Sequence, residues 1–182
     1  MLASFLRKVF DNLEAFSAKK YVIVTGNEAC DLDSIACATA FAYLKHQEAK
    51  NENTCYIPVC NIPLEDMPLR TEATHWLNAC RITPKSLFYH GNVEKLLEET
   101  AKKNVDLVLV DHHEQASTTI FKDLQITDII DHHPLSPDYV RPQTCNFFRV
   151  ERVGSCASIV TDELTKRLSR DQIPIELCQL LY

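Results

Sequence analysis

Residues 21–44 read YVIVTGNEACDLDSIACATAFAYL, and this stretch decides the fold. Its β-branched beginning predicts a short strand that ends in a tight turn at Gly26, and the small residues from Ser34 onward predict a helix suited to close packing on a sheet. Asp31 and Asp33 lie one residue apart in the loop that joins them. Two carboxylates at that separation repel each other, but a cation beside them would turn the pair into a binding site.

The same alternation of strand and helix continues along the chain. Short apolar or β-branched runs predict further strands at residues 54–60, 86–90, 105–113, 126–133 and 144–151. Helical periodicity separates them and predicts an N-terminal helix over residues 3–17. Strands that are apolar throughout and alternate with helices are typical of a parallel sheet with helices on both faces. The sequence therefore predicts an α/β fold.

The charge of the chain narrows the classes of partner. The 182 residues carry a formal net charge of -6 at pH 7, whereas nucleic-acid-binding surfaces are usually basic, so we expect no nucleic-acid polymer as a partner. A small phosphate-bearing substrate is compatible with this charge, because bound metal ions can supply the positive charge.

Cysteine spacing and the N-terminus predict the compartment. The eight cysteines include no CxxC pair, so neither a zinc ribbon nor a thioredoxin motif is expected. We expect them to be reduced and buried in a cytoplasmic protein. The N-terminal stretch MLASFLRKVFDNLEAF has charged residues inside its apolar pattern, which indicates an amphipathic helix and not a signal peptide. No apolar run approaches the length of a membrane span, so no membrane partner is expected.

Acidic and imidazole side chains follow three of the predicted strands. They are Asp31 and Asp33, then Asp111, His112 and His113, and then Asp131, His132 and His133. Because the carboxyl ends of parallel strands meet at one edge of a sheet, we expect these side chains to share a crevice. A single aspartate there is commonly a turn or cap residue, but two DHH triplets favour a metal site, since burying them without a cation would be costly. Carboxylates with imidazoles suit manganese, magnesium, iron or zinc.

Four stretches carry a resemblance to a known family. VTGNEACDLDSIA, LVLVDHHE, DIIDHHP and VERVGSCASIVTDEL resemble, in order and spacing, the successive motifs of the DHH phosphoesterase superfamily. Within it the chain is most similar to the prune-like branch, which groups with short-chain exopolyphosphatases and family II pyrophosphatases. The resemblance covers residues 20–182 and implies an N-terminal DHH domain, preceded by a helix within residues 1–19.

The resemblance also implies roles for individual side chains. Asp31 and Asp111 would hold a first metal ion, and Asp33, Asp111 and His132 would hold a second, with Asp111 bridging the two. His133 would face the substrate phosphate as a positioning group or proton donor.

Five further residues are candidates for supporting roles around these ligands. Asn27, His112 and His113 would hold the metal ligands in position without binding the metal ion themselves. Gly154 and Ser155 open a helix whose N-terminal amides could meet a phosphate, although a simple helix cap is an equal alternative.

The activity implied by the resemblance is hydrolysis of phosphoanhydrides, namely short-chain polyphosphate or pyrophosphate. Two Mn²⁺ or Mg²⁺ ions about 3.5–4 Å apart would activate water between them. Two alternatives remain open: a catalytically weak or inactive protein that acts by binding protein partners, and a cyclic-nucleotide phosphodiesterase.

The chain departs from the family pattern in three respects. Asn27 stands where the related pyrophosphatases carry a histidine, which predicts a weaker first metal site. The resemblance also implies a fourth metal-binding aspartate and a second domain that closes over the site, and no residue up to Tyr182 matches either. We therefore expect a C-terminally incomplete domain, truncated before the fourth motif and without the lid domain.

Overall fold

The computed structural model describes residues 1–49, 53–115 and 119–182. Its five strands are β1 (Lys20–Thr25), β2 (Thr54–Val59), β3 (Val105–Val110), β4 (Gln125–Asp131) and β5 (Phe147–Val150). The six α-helices of this part of the chain are α1 (Leu2–Ala15), α2 (Leu32–Glu48), α3 (Thr71–Ala79), α4 (His90–Thr100), α5 (Cys156–Arg167) and α6 (Ile175–Leu181). Short 3₁₀ turns cover Leu64–Leu69, Pro84–Ser86 and Arg170–Gln172.

The strands form one parallel sheet in the order β2-β1-β3-β4-β5. The predicted α/β fold with a parallel sheet flanked by helices is confirmed. The chain winds first from β1 outward to β2 and then back past β1 to β3, so the direction of winding reverses between β1 and β3. The loops after these two strands therefore diverge, and the crevice between them is where ligands bind in open parallel sheets.

The helix α2 is buried along most of its length, as its small residues predict. Every residue from Ser34 to Leu44 is buried, and the helix packs against β1, β2 and α5. Close packing begins at its first turn, since a Cβ atom on Gly26 would lie only 2.3 Å from the Cβ atom of Ser34. No helix in the described ranges is long and apolar enough to cross a membrane.

The N-terminal helix α1 is present with slightly different bounds from those predicted. It buries five apolar side chains in the same hydrophobic core as the sheet: Leu2, Phe5, Leu6, Val9 and Leu13. It ends at Phe16, whose backbone is left-handed. The division of the chain at residue 19 stays a prediction.

The strand predicted at residues 86–90 is wrong. Only Phe88 bridges to β2, through a single parallel contact with Val59. Pro84 opens a 3₁₀ turn just before this segment, and α4 begins at His90, with Tyr89 and Asn92 exchanging capping hydrogen bonds. The extended piece between the 3₁₀ turn and α4 is too short for a strand.

Candidate functional site

The ends of β3 and β4 bring four potential ligands together. Ligand atoms of Asp111, Asp131, His132 and His133 all lie within 4.8 Å of one another. The two strand ends are joined directly, because the Asp111 backbone N–H donates to the Ile130 carbonyl over 2.9 Å. Asp111 has a left-handed backbone with φ 61°, which aspartate tolerates better than most residues, and such uncommon conformations cluster at functional sites.

Asp111 has one satisfied and one unsatisfied carboxylate oxygen. Its Oδ2 accepts hydrogen bonds from Asn27 Nδ2 over 2.8 Å and from Ser34 Oγ over 2.7 Å. Its Oδ1 is buried and has no hydrogen-bond partner among the described residues. Burying a carboxylate oxygen without a partner is costly, so the free Oδ1 atom fits the ligand of a cation.

His132 directs its Nε2 at that same oxygen. Its Nδ1 lies 3.1 Å from the Val153 carbonyl oxygen, so in the neutral ring we place the proton on Nδ1. In that neutral form Nε2 carries a lone pair, and it lies 3.3 Å from Asp111 Oδ1 without hydrogen-bond geometry. Two acceptors that face each other repel, and a cation bound by both would remove the repulsion. An imidazole anchored to a carbonyl through its other nitrogen is typical of metal-binding histidines.

Electrostatics around Asp111 also fit a cation. Burial, together with the charges of Asp33 and Asp31, raises the pKa of Asp111 to about 6, against the hydrogen bond from Ser34 and the charge of a protonated His132. Carboxylates that repel each other in a buried position favour either a proton or a metal ion beside them. Asp31 and Asp33 thus act on Asp111 although they lie outside the group of four.

The raised pKa of Asp111 predicts a pH-dependent stability in metal-free buffer. The folded pKa of about 6 exceeds the ordinary value of 3.8, so the stabilising proton uptake is complete below pH 3.8 and is lost as pH rises through 6. We expect the free energy of unfolding of Asp111→Asn, relative to that of the unsubstituted chain, to rise by about 2.5 kcal/mol between pH 4 and pH 7. Urea unfolding in EDTA at several pH values measures this difference, and a difference independent of pH would contradict it.

Asp131 is fully buried and holds two imidazoles. Its Oδ1 accepts from His133 Nδ1 over 2.8 Å and from the His132 backbone N–H over 2.7 Å, and its Oδ2 accepts from His113 Nδ1. Burial alone would raise the pKa of Asp131, but the hydrogen bonds from His113, His133 and the backbone outweigh it, so the pKa is lowered. Asp131 belongs to the predicted group of strand-end residues without a predicted role, and the second DHH triplet is the sequence signal that points to it.

His133 is the most accessible imidazole of the group, with 51% of its side chain exposed. The hydrogen bond to Asp131 is the main cause that raises the pKa of His133. Since Nδ1 donates to Asp131, its Nε2 can carry a second proton towards the crevice. This arrangement suits a group that binds or protonates a phosphate oxygen.

Asp31 and Asp33 contact helix N-termini. The Oδ1 atom of Asp31 accepts from the Ser34 backbone N–H over 2.9 Å and so caps α2. The carboxylate of Asp33 accepts from the backbone N–H groups of Cys156 and Ala157 over 2.9 and 2.8 Å, at the beginning of α5. The structure brings Asp111 and His132 together but leaves these two predicted ligands bound to helix amides. Their assignment as metal ligands stays a prediction.

Asn27 and Ser34 position Asp111 from the β1 side. Asn27 Oδ1 accepts from the backbone N–H groups of Ala29 and Cys30 over 2.9 and 3.2 Å, which fixes its amide with Nδ2 towards Asp111. This contact would allow Asn27 to orient Asp111 as predicted, and the orienting role stays a prediction. The sequence predicts Ser34 only as the start of a helix, and its position directly after Asp33 carries little signal for its contact with Asp111.

The remaining candidates lie around this group. His112 Nδ1 contacts the Val110 carbonyl oxygen over 2.9 Å, and burial lowers the pKa of His112. The His113 ring packs edge-on against Tyr139, besides its contact with Asp131. Ser155 caps α5 by accepting from the Ala157 backbone N–H over 3.1 Å, directly after Gly154. Ser155 is therefore a helix cap, as the second alternative for this pair predicts. Phosphate binding at Gly154 and Ser155 stays a prediction.

Comparisons with known proteins agree with this geometry. A family model described as "DHH family, N-terminal domain" matches residues 21–182. "Exopolyphosphatase PRUNE1" of Mus musculus is 34% identical over 142 residues, which are 78% of this chain and 30% of that protein. A "Probable manganese-dependent inorganic pyrophosphatase" of Clostridium acetobutylicum is 30% identical over 140 residues, which are 76% of this chain and 38% of that protein. The chain thus spans about a third of the length of these relatives.

A solved structure supports the fold. An exopolyphosphatase-related protein from Bacteroides fragilis superposes with a TM-score of 0.55 at 14% sequence identity, and the match covers 98% of this chain and 48% of that one. At this identity the likeness concerns the fold alone.

Proposed function

This chain belongs to the DHH family, and from that membership we propose that it is a metal-dependent phosphohydrolase acting on phosphoanhydrides, namely short-chain polyphosphate or pyrophosphate. The observation that carries the proposal is the buried Asp111 Oδ1, which has no hydrogen-bond partner among the described residues and faces His132 Nε2 over 3.3 Å. The substrate class is suggested by relatives whose names are exopolyphosphatase and inorganic pyrophosphatase.

The residues that would hold the metal are Asp111 and His132, with Asp31 and Asp33 as further ligands. Mixed carboxylate and imidazole donors suit Mn²⁺, and Mg²⁺ where the carboxylates dominate. Two such ions, when bound, would supply Lewis acidity, an activated water and charge neutralisation at the phosphoryl oxygens. Asp31 could offer its second oxygen while it caps α2 through Oδ1, whereas Asp33, which accepts from α5 amides through both oxygens, would share one of them with the cation.

The imidazole of His133 would contact the substrate, and the carboxylate of Asp131 would orient that imidazole. Asp131 holds Nδ1 of His133 and balances the charge of its imidazolium form, so the ring keeps one orientation. The exposed Nε2–H would then bind a phosphate oxygen and deliver a proton to the leaving group. His113 holds the other oxygen of Asp131 and keeps that carboxylate in place.

The proposal is tested by phosphate release from pyrophosphate and tripolyphosphate with Mn²⁺ or Mg²⁺. We expect release above a metal-free blank. No release, together with retained Mn²⁺ binding by calorimetry, would overturn the proposal and favour a protein that acts through protein partners.

His133→Gln separates catalysis from metal binding. We expect phosphate release to fall by about a hundredfold or more, because glutamine cannot transfer a proton, while Mn²⁺ affinity measured by calorimetry stays within about twofold. His75→Gln, on the exposed face of α3, is the matched control. Unchanged release in His133→Gln would exclude His133 as the proton donor.

A cyclic nucleotide is a second candidate substrate, favoured by one observation. A pocket of 230 Å³ next to Asn27 is lined by Leu109 and Phe121 and by polar groups that include Asn61, His112 and the acids Glu28 and Glu114. An apolar wall with hydrogen-bonding groups suits a nucleobase. Release of adenosine monophosphate from cyclic adenosine monophosphate, lost in Asp111→Asn, would support it, and no turnover with pyrophosphate cleavage intact would remove it.

A further inference from the structure

A second pocket lies away from the candidate metal centre, between α1, the segment 81–86 and α6. Its volume is 360 Å³, within the range of small-molecule sites. No residue that lines it belongs to the group around Asp111. We propose that this pocket binds a small amphipathic anion, specifically a medium-chain fatty carboxylate.

Apolar side chains line one part of the pocket. Leu2, Leu6 and Ile82 are at most 6% exposed and are held in place by the core, whereas Phe10 is 41% exposed and supplies the accessible apolar surface. Ala3 and Ser86 contribute small exposed side chains to the same lining, which leaves room for a ligand above the aliphatic groups. This lining favours a hydrocarbon body, since each buried methylene raises affinity about fourfold.

Basic side chains surround this apolar part. Arg7, Arg81 and Lys85 line the pocket with a single acid, Glu176. The side chains of Arg81 and Lys85 make no ion pair or hydrogen bond with any residue that the structure describes. Arg7 pairs with Asp11 over 3.0 Å at an exposed position, where such pairs contribute little. With Arg7 paired to Asp11, the side chains of Arg81 and Lys85 against Glu176 still leave a local excess of positive charge on a chain whose net charge is -6.

Charge and apolarity together select the ligand class. An inorganic anion would satisfy the guanidinium and ammonium groups but leave the exposed Phe10 ring in water. A neutral hydrocarbon would cover the lining but leave Arg81 and Lys85 without a partner. A carboxylate with an aliphatic chain does both, because carboxylates form charge-assisted hydrogen bonds with arginine and lysine. The inference is independent of the proposed hydrolysis.

Calorimetric titration of decanoate into the full chain tests the proposal. We expect saturable one-to-one binding, affinity that rises from hexanoate through octanoate to decanoate, and at least tenfold weaker binding of decanol and of inorganic phosphate. Absence of saturable binding at low millimolar decanoate overturns the proposal, as does equal binding of inorganic phosphate.

Two sets of variants assign the site. The double variant Arg81→Gln with Lys85→Gln is expected to weaken decanoate binding at least tenfold, whereas Lys103→Gln with Arg170→Gln, both exposed, is the charge-matched control. Ala3→Phe is expected to fill the pocket and abolish binding without removing any core side chain. Decanoate binding that neither variant changes would place the ligand elsewhere and overturn the proposal.

Discussion

The Asp111→Asn variant is expected to lose divalent-cation binding and phosphate release together while its fold is retained. Asparagine keeps an oxygen that can accept from Asn27 and Ser34, but it removes the negative charge and directs an amide N–H at His132 Nε2. Replacing residues that merely orient a metal ligand commonly lowers affinity 10–100-fold. We therefore expect Mn²⁺ affinity and phosphate release to fall by more than about a hundredfold.

A measurement of stability distinguishes a specific loss of metal binding from unfolding of the variant. The substitution removes a buried charge and replaces two facing acceptors by a donor and an acceptor, so Asp111→Asn should unfold at a higher urea concentration than the metal-free parent. Asp138→Asn, at an exposed position beyond β4, makes the same chemical change away from the group and should alter neither property. Mn²⁺ binding by Asp111→Asn at the parental affinity would exclude Asp111 as a ligand.

The Gly26→Ala variant is expected to destabilise the chain and disorder the support of Asp111. The new Cβ atom would lie 2.3 Å from Ser34 Cβ and 2.8 Å from Ser34 Cα. Because Cα belongs to the backbone of α2, a side-chain rotation cannot relieve the contact, and the loop or the helix must move. We expect the free energy of unfolding to fall by about 2–3 kcal/mol, the upper range for overpacked positions. Urea unfolding measures this change.

The chain supplies the matched control for that experiment. A Cβ atom on Gly91, within α4, would meet no atom within 4 Å. Gly91→Ala should therefore raise the free energy of unfolding by up to about 1 kcal/mol, because alanine stabilises a helix more than glycine does. Equal changes in the free energy of unfolding for Gly26→Ala and Gly91→Ala would show that the close packing of Gly26 on Ser34 does not contribute to stability.

The sequence by itself determined the parallel α/β sheet and the strand ends that carry the acidic and imidazole groups. These follow from local patterns: apolar β-branched runs form strands, and the charged residues that interrupt them lie where the strands end. The local pattern failed at residues 86–90, where a proline turn and a capped helix leave only Phe88 extended. Family motifs in the sequence also pointed to Asp111 and His132, which the structure places 3.3 Å apart.

Only the tertiary structure decided which donor meets which acceptor. Asn27 contacts Asp111 across 84 residues of sequence, and Asp33 reaches Cys156 across 123. These contacts depend on strand order, on the register of β3 with β4 and on the position of α5, none of which is encoded by local periodicity. The same holds for Asp131, whose two oxygens each hold an imidazole from a different strand end. Local sequence fixes which groups reach the crevice, whereas their pairing depends on packing between segments far apart in the chain.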